Sequence, residues 1–485
     1  MPNIIEPDMG DPAEAIAGDG GNLVFVTLVC LVSAIGGFLF GYETVVIAGA
    51  LSLVTAEFHF SAVMEGWFVT SGLFGCAGGV LLAGRLCDAI GRKKVMLLSA
   101  FLLGLCAVVC CVAATATWLI AGRIIGGLGV GIASVVSPLY ISELAPPKVR
   151  GRLVSLFQLT ITLGIVSAMI TNAGVLDFAQ GAGGAALTGL WHWLVVQETW
   201  RAMFLTQLVP SVVFFLLALC VPESPRWLSL AGKQEKARAV LLRLRGNADI
   251  ADAELTQIAR SGTKVKGEAI SWWSAAIRRP LFLGIFLAVF SELSGITLVM
   301  YYGPVILEKA GISVGSSLGG HAVIGIVLAC FTVISLFVVD RFGRRPVLLT
   351  GVAGACIALA ATALCFAYGV SDGALIITLL CLFVAFFAFS IGPIKWIVIS
   401  EIFPTRVRAP AMGVATVAVW LTDMAINQAF PVVRDTLGVS AMFLACAAFL
   451  AIQFWVVLSK LPETKGLPLE DILSLWSNQN MKRVK

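Results

Sequence analysis

Charge is scarce in this sequence. Only 13% of its 485 residues are Asp, Glu, Lys or Arg, and 59% are hydrophobic, whereas a soluble domain has about 25% charged and 45–50% apolar residues. This composition excludes a chain of ordinary soluble domains. The apolar residues form long runs instead, such as 23–34, 95–114 and 375–389. Because a helix needs about 20 mostly apolar residues to cross the hydrocarbon core, these runs predict an all-α protein that crosses a membrane many times.

Histidine is also rare, which argues against an enzyme. His59, His192 and His321 are the three histidines, and they are scattered without a nucleophile–base or metal-binding arrangement around them. The 12 cysteines include no Cys-x-x-Cys, and most lie within apolar runs. We interpret them as small buried hydrophobic residues, not as metal ligands or a disulfide framework. The sequence therefore predicts no enzymatic activity, no metal and no bound cofactor.

The distribution of the 33 lysines and arginines predicts the orientation. Arg201, Lys309 and Arg434 fall in links that we place outside, and Arg123 and Lys395 fall within predicted spans. All other basic residues lie on the side that holds both termini, which the positive-inside rule makes cytoplasmic. The net charge of +5 thus reflects orientation in a lipid bilayer, and a nucleic-acid partner is not expected.

Twelve transmembrane helices are predicted, in two bundles of six. The longest polar stretch separates the bundles, and apolar spacing within 232–245 predicts an amphipathic helix on the cytoplasmic face. The predicted organisation is a cytoplasmic N-terminal segment 1–22, a first bundle 23–221, a cytoplasmic helical linker 222–279, a second bundle 280–462 and a cytoplasmic tail 463–485. The predicted spans are 23–49, 64–85, 95–114, 119–140, 153–171, 200–221, 281–307, 321–339, 347–366, 374–400, 409–430 and 441–461.

Short charged motifs recur at the same places in the two halves. Parallel six-helix repeats of this kind are typical of the major facilitator architecture, in which the substrate binds near the midplane between the bundles. The matching segments are 88–93 after the second span and 340–345 after the eighth, 142–150 after the fourth and 400–408 after the tenth, and 222–223 and 462–463 at the ends of the two bundles.

Acids and bases in these motifs predict a charge lock at the cytoplasmic helix ends. Carboxylates and guanidinium groups there can pair across helices and across the halves, and such pairs would hold the inner side closed while the outer side is open. The alternative is ordinary solvated surface charge, but the presence of both signs in both halves favours the lock. The predicted lock residues are Asp88, Arg92, Glu143, Arg150, Glu223, Asp340, Arg344, Glu401 and Arg408.

Taken together, these motifs closely resemble the sugar porter family of the major facilitator superfamily. They follow the family's order along nearly the whole chain, so the set is far more specific than any single motif. The matching segments are Phe40-Gly-Tyr-Glu43, 84–92, 138–151, Gln158-Leu159, Trp200-Arg201, 222–227, Gly295-Ile296, Tyr301-Tyr302, Gly392-Pro393, Trp396 and 462–466.

The resemblance implies that Phe40, Gln158 and Trp396 line the sugar site. Their chemistry agrees, because a sugar presents hydroxyls to amides and an apolar face to aromatic rings, and small-molecule sites place a few polar groups on a mostly apolar wall. By residue type alone, Phe40 is more often a packing residue, because aromatic side chains in membrane helices usually pack. An amide such as Gln158 in the middle of a span needs a partner, and is therefore more informative.

Five ionisable residues lie inside predicted spans and away from the span ends: Glu43, Arg123, Glu292, Lys395 and Asp423. Charge at the bilayer centre costs at least about 2.5–3.5 kcal/mol per group, so these residues should pair or face a cavity, and each is a functional candidate. Glu43 matches the first-span acid of the family, where proton-coupled members carry Asp and facilitators carry Asn. Arg123, at the family's fourth-span arginine, is its expected partner. We favour a proton-coupling role over a purely structural ion pair.

The second half departs from the family pattern. Ser291, Glu292 and Thr297 stand where sugar porters carry a Gln-Gln pair followed by Asn, and Asp423 stands where they carry Asn. Lys395 precedes Trp396 at a normally uncharged position. Two interpretations stay open: the charges pair with one another in place of the lost amides, or they bind a polyol or a charged sugar.

Tyr301 and Tyr302 lie just outward of Gly295 and could form an outer gate, although packing is an equal alternative for either tyrosine. Gly295 and the Gly392-Pro393 pair mark places where the seventh and tenth helices could break, which is tolerated where the backbone lines a cavity.

The sequence predicts proton-coupled symport of a monosaccharide or related polyol by alternating access. The proton is the expected coupling ion. The protein is expected to be a monomer in a lipid bilayer, and this bilayer is the cell membrane, which in a bacterium is the inner membrane. An uncoupled sugar facilitator and a transporter of a charged sugar derivative are the alternatives. A nutrient sensor is disfavoured, because the segment after Glu463 is short.

Overall fold

The computed structural model describes residues 22–146, 149–261, 275–370, 372–403 and 408–463. Nearly all of them are helical, so the predicted all-α class is confirmed. We call residues 22–261 the first half and residues 275–463 the second half. The helices of the first half are α1 Leu23–Phe58, α2 Ala62–Ile90, α3 Arg92–Val112, α4 Ala116–Leu144, α5 Arg150–Gln180, α6 Ala182–Ala185, α7 Gly189–His192, α8 Thr199–Thr206, α9 Leu208–Cys220, α10 Pro225–Leu230, α11 Gln234–Arg245 and α12 Ala248–Ser261.

The second half repeats the long helices of the first. A π-helical turn, Phe387–Ile391, joins two of its helices, and another, Trp193–Gln197, precedes α8 in the first half. The helices of the second half are α13 Ala275–Glu292, α14 Ile296–Lys309, α15 Val314–Phe342, α16 Arg344–Ala367, α17 Gly373–Phe386, α18 Gly392–Ile402, α19 Arg408–Leu437 and α20 Val439–Lys460.

Eleven spans in the described part of the chain are long and apolar enough to cross a membrane. They correspond to eleven of the twelve predicted spans. The remaining predicted span, 409–430, lies in α19, a helix of 30 residues. Asp423, Asn427 and Gln428 lower the hydropathy of that helix, and each has a described polar contact.

Side-chain caps, and in one case a glycine with a left-handed backbone conformation, mark where several of the long helices begin. Ser61 accepts a hydrogen bond from the Met64 backbone at 3.3 Å at the start of α2, and Thr115 and Asp372 cap α4 and α17 in the same way. Such caps satisfy backbone N–H groups that have no partner within the helix. Gly295, with φ of 86°, separates α13 from α14 at the predicted break. The break predicted at Gly392-Pro393 is not present. A π-helical turn ends at Ile391, and the helix continues through Gly392 and Pro393.

Glycine allows the first-half helices to pack closely. A Cβ atom on Gly127 of α4 would lie 2.0 Å from the Gly72 carbonyl oxygen of α2, and one on Gly41 of α1 would lie 1.9 Å from the Ile161 carbonyl oxygen of α5. Small residues at helix interfaces let backbones approach within van der Waals distance, which drives association in lipid. These contacts fix the relative positions of α1, α2, α4 and α5, on which the site depends.

The helices α10, α11 and α12 pack on one end of the first half. Arg245 donates to the Leu144 carbonyl at the end of α4 at 3.0 Å and forms a bidentate ion pair with Glu254. The Asn22 amide, just before α1, donates to the Leu244 carbonyl at 3.2 Å. We call this end of the protein the inner end and the opposite end the outer end. The predicted amphipathic helix is α11.

Hydrogen bonds and an ion pair join the two halves at the outer end. Arg434 of α19 donates to both carboxylate oxygens of Glu65 on α2, at 2.7 and 2.9 Å, and both side chains are at least nine-tenths buried. Gln428 accepts from Thr70 and donates to the Val63 carbonyl, each at 3.0 Å. The outer end is therefore closed in this conformation.

Replacing Arg434 with Ala should weaken this closure. Removing one partner leaves the buried Glu65 carboxylate without a counter-charge, a cost of roughly 3 kcal/mol, which would shift the equilibrium between closed and open outer ends about a hundred-fold. Hydrogen–deuterium exchange should become faster at the outer ends of α2 and α19.

The control is Lys309→Ala, which removes an exposed outer basic residue and should leave exchange unchanged. Exchanging the charges in a Glu65→Arg and Arg434→Glu double variant should restore slow exchange. Unaltered exchange in Arg434→Ala would mean that the ion pair does not hold the outer end closed.

Candidate functional site

A buried ion pair lies in the middle of the first half. Glu43 of α1 and Arg123 of α4 are each 2% exposed, and the Arg123 Nη1 donates to the Glu43 carboxylate. The same nitrogen donates to the Glu43 backbone oxygen at 3.2 Å. The two residues predicted to couple a proton are therefore in direct contact, well away from solvent.

The surroundings of this pair leave it little freedom. The Cys106 thiol is 3.8 and 3.9 Å from the two carboxylate oxygens of Glu43, and Gln207 approaches the same carboxylate from α9's start. A Cβ atom on Gly126 would lie 2.8 Å from a Glu43 oxygen, and one on Gly72 would lie 2.8 Å from an Arg123 nitrogen. Two glycines thus make the space in which the pair forms.

A small cavity between the halves adjoins the ion pair. The second half contributes Tyr301 of α14 and Trp420 of α19 to its wall, while Phe40, Cys76 and the pair come from the first half. Phe40 and Trp420 stack across the interface with ring centroids 6.3 Å apart. The cavity has a volume of about 20 Å³, which is room for one water molecule and far below the roughly 300–1,000 Å³ of small-molecule pockets.

A second ion pair lies in the second half. Lys395 of α18 donates to Glu292 at the end of α13, and the two residues are 8% and 5% exposed. The Lys395 ammonium also lies 5.3 Å from the centre of the half-buried Trp396 ring. The break after α13 and the π-turn before α18 bring these two helix ends together. Of the predicted charges, Glu292 and Lys395 therefore pair with each other.

Asp423 lies near this pair but has mainly neutral partners. It is 5% exposed and accepts a hydrogen bond from the Asn427 amide at 2.7 Å. The Thr297 hydroxyl, which accepts from the same amide at 3.2 Å, lies beside it. Electrostatic interaction reaches Asp423 from both Glu292 and Lys395.

The remaining predicted site residues lie in different environments. Ser291 is fully buried, whereas Gln158 is exposed on α5. Tyr301 borders the cavity, but Tyr302 donates to the Asn427 carbonyl at 2.9 Å and packs 4.6 Å from the Phe430 ring. The two tyrosines predicted as a gate thus lie on different faces of α14, and of the two, Tyr301 adjoins the ion pair.

Comparison with known proteins identifies the family. The chain matches the family described as "Sugar (and other) transporter" over residues 29–476. It belongs to this family. The transporter is 37% identical to the arabinose–proton symporter of Bacillus subtilis, over 93% of this chain and 95% of that protein. It is 32% identical to the D-xylose–proton symporter of Escherichia coli, over 95% of this chain and 98% of that protein.

A solved structure supports the same assignment. The inward open conformation of the Escherichia coli xylose transporter superimposes with a TM-score of 0.80 and 29% identity, and the match covers 93% of this chain and all of that one. The protein is therefore a multi-pass membrane transporter with the major facilitator fold, and not an enzyme.

At the inner end of the transporter's first half, four of the five predicted lock residues, all except Arg150, form one connected network. Arg92 makes a bidentate ion pair with Glu143, with both distances 3.0 Å. Glu223 accepts hydrogen bonds from the backbone amides of Arg92 and Lys93, at 2.8 and 3.1 Å. Asp88 is 3.5 Å from Arg92 and largely exposed. Acidic groups at a helix start are favourable because backbone N–H groups point at them.

The second half contains the same network. Arg344 pairs with Glu401 at 3.1 Å, and Glu463 accepts from the backbone amides of Arg344 and Arg345, both at 3.0 Å. In both halves these described contacts lie within one half, whereas the sequence also predicted contacts across the halves. Exposed Arg150 contacts the Ala145 carbonyl at 3.5 Å. The side chains of Asp340 and Arg408 lie outside the described part of the chain.

Sequence reasoning missed several residues of the site. Trp420, Cys106 and Asn427 gave no motif, and glycines at 72 and 126 looked like ordinary membrane-helix glycines. Glu65 and Arg434 are charged residues near the ends of predicted spans. Their pairing could not be predicted, because the two residues are 369 positions apart in the sequence. Only the polarity of Asn427, four residues after Asp423, offered a signal, since residues four apart share a helix face.

Substituting Gly126 with Ala should displace the Glu43–Arg123 pair. The added methyl group would lie 2.6 Å from the Cys106 sulfur and 2.8 Å from a Glu43 oxygen, and relief of such overpacking costs about 1–3 kcal/mol. We expect a lower rate of substrate uptake and a lower melting temperature, measured on the purified protein.

Gly174→Ala is the matched control, because a methyl group there meets no atom within 4 Å. Both properties should stay at the wild-type level in this variant. Equal behaviour of the two variants would show that the space beside Glu43 is not limiting.

Proposed function

We propose that the protein is a secondary active transporter that couples entry of a monosaccharide, or a related polyol, to a proton. The observation that carries the proposal is the Glu43–Arg123 pair, buried on the first half and bordering the cavity between the halves. Two relatives that are named as sugar–proton symporters support it, since each aligns along most of the chain. The proposed location is the cell membrane, with a monomer whose termini are both cytoplasmic.

The proton acts through the charge balance of this pair. With Glu43 ionised, Arg123 is neutralised at close range, which stabilises the observed arrangement. A proton on Glu43 removes its charge and leaves the guanidinium buried without a counter-charge, which is costly in a low-dielectric interior. The arrangement of α1 and α4 then changes, and because Phe40 of α1 stacks on Trp420 across the halves, the change reaches the second half.

The sugar binds between the halves, against aromatic rings from both. Phe40, Trp420 and Trp396 supply apolar faces, and Gln158 and Thr297 supply polar groups. The cavity of about 20 Å³ must enlarge for a sugar to enter, so binding requires the halves to separate. In this proposal Tyr301, which lines the cavity, closes over the substrate.

The second-half charges favour a neutral substrate over a charged one. Glu292 and Lys395 neutralise each other in the described arrangement, so neither needs a substrate charge for compensation. Asp423 keeps a carboxyl group near the site, and its oxygens can form hydrogen bonds with sugar hydroxyls. This supports the first of the two interpretations of these charges, in which the ion pair replaces the missing amides.

Transport into proteoliposomes tests the proposed function. The purified protein is offered a panel of pentoses, hexoses, inositols and acidic sugars, with and without a pH gradient that is alkaline inside. We expect accumulation of a neutral sugar or polyol above its external concentration only with the gradient, and loss of accumulation when a protonophore is added. Equilibration without accumulation for every member would instead support the uncoupled facilitator.

Glu43→Gln separates coupling from translocation. Glutamine has nearly the same shape but cannot bind or release a proton, so exchange of labelled for unlabelled substrate should continue. Steady-state accumulation should fall by about tenfold at a gradient of about one pH unit, since each coupled proton supplies about 1.4 kcal/mol per pH unit. Wild-type accumulation in Glu43→Gln would exclude coupling through this residue.

A further inference from the structure

The ionisable residues near the middle of the membrane do not balance. Glu43 is matched by Arg123 and Glu292 is matched by Lys395, each in a direct ion pair. Asp423 is the third buried carboxylate of this set, and its hydrogen-bond donors are neutral groups, the Asn427 amide and the Thr297 hydroxyl. Because buried charge is stable only when it is paired, the ionised set carries one negative charge too many.

The groups that surround Asp423 do not compensate this excess negative charge. Asn427 lies on its own helix, and Thr297 and Tyr301 approach from α14. Glu292 and Lys395 act on it from α13 and α18, and Cys76 faces it from α2 of the first half. The one cation among these neighbours, Lys395, is already bonded to Glu292. Two carboxylates therefore share a single ammonium group.

Two residues of this region have hydrogen-bonding atoms that are not used: Asn427, which donates to Asp423, and Ser291, which precedes Glu292 in the chain. The Asn427 Oδ1 and the Ser291 Oγ are buried, and neither has a hydrogen-bond partner in the described part of the chain. Asn427 Oδ1 belongs to the same amide that donates to Asp423 and faces Thr297. Buried polar atoms without partners are uncommon and call for a ligand, a proton or a rearrangement.

We propose that Asp423 is a second proton-binding group of the transport cycle, placed in the half opposite to Glu43. This inference rests on the proposed sugar–proton symport. The Asp423 carboxylate takes a proton from solvent when the cavity is open to the outer side, which makes the set of five groups neutral while Glu43 is still ionised; the second proton, on Glu43, then releases Arg123 as described above. Asp423 returns its proton to solvent at the inner side after the substrate has left, so that two protons accompany each substrate molecule.

Proton stoichiometry separates this arrangement from coupling through Glu43 alone. At zero membrane potential, accumulation at equilibrium rises about tenfold per coupled proton for each pH unit of gradient. With a gradient of about one unit, two protons give about a hundred-fold accumulation and one proton gives about tenfold.

The experiment measures this ratio in proteoliposomes whose potential is clamped with potassium and valinomycin. We expect about a hundred-fold for the wild type, about tenfold for Asp423→Asn and for Glu43→Gln, and no accumulation but continued exchange for the double variant. Asp423→Glu, which keeps a titratable acid, should retain the wild-type ratio. The control is Asp177→Asn, because Asp177 is an exposed carboxylate at the outer end of α5.

The outcomes are distinct. A wild-type ratio of about tenfold, or an unchanged ratio in Asp423→Asn, overturns the second site while leaving symport intact. Absence of any gradient-driven accumulation in the wild type overturns the proposed function itself. If Asp423→Asn does not transport, Glu43→Gln decides, because its remaining tenfold accumulation requires Asp423 and its loss excludes that role.

Discussion

The cost of holding charge away from water organises this molecule. Arg123 cannot lose its proton, so its burial is stable only while Glu43 faces it, and replacing either partner leaves an uncompensated charge. Close helix packing is needed to keep the two groups in contact. Glycines at positions 72 and 126 provide the space, because any side chain there would collide with the pair. The first half is thus built around the Glu43–Arg123 ion pair, which is lost when a single proton neutralises Glu43.

The two halves contain the same arrangement of ion pairs and hydrogen bonds at their inner ends, because the charged motifs are duplicated in the sequence. In each, an arginine at the start of a helix pairs with a glutamate of a neighbouring helix, and a second glutamate caps the same helix start. Lys93 and Arg345 also each donate to a carbonyl near the end of the last long helix of their half, that of Leu219 and that of Leu458, both at 2.7 Å. These networks stiffen each half from within. The described ion pair and hydrogen bonds that join the halves at the outer end, and the Phe40–Trp420 stack beside the cavity, connect two such units, which suits halves that rock against each other.

The sequence predicted the class, the family and the Glu43–Arg123 contact, because apolar runs, repeated motifs and rare buried charges are all legible without coordinates. It left the roles of Glu292, Lys395 and Asp423 open, since which of two carboxylates meets a given ammonium depends on helix rotation and on the break after Glu292. It gave no sign of Trp420, whose stacking on Phe40 is a tertiary contact. It expected a partner for Gln158, which is exposed in this conformation.

The break at Gly295 gives the seventh span two independent segments. The inner segment, α13, ends in the Glu292 pair with Lys395, while the outer segment, α14, is bonded through Glu308 to Ser52 of the first half at 3.2 Å. A left-handed residue interrupts the helical hydrogen bonds, so tilting of the outer segment is not transmitted as a lever to the inner one. The outer segment can therefore tilt as the outer side opens while the Glu292–Lys395 ion pair at the end of the inner segment stays formed.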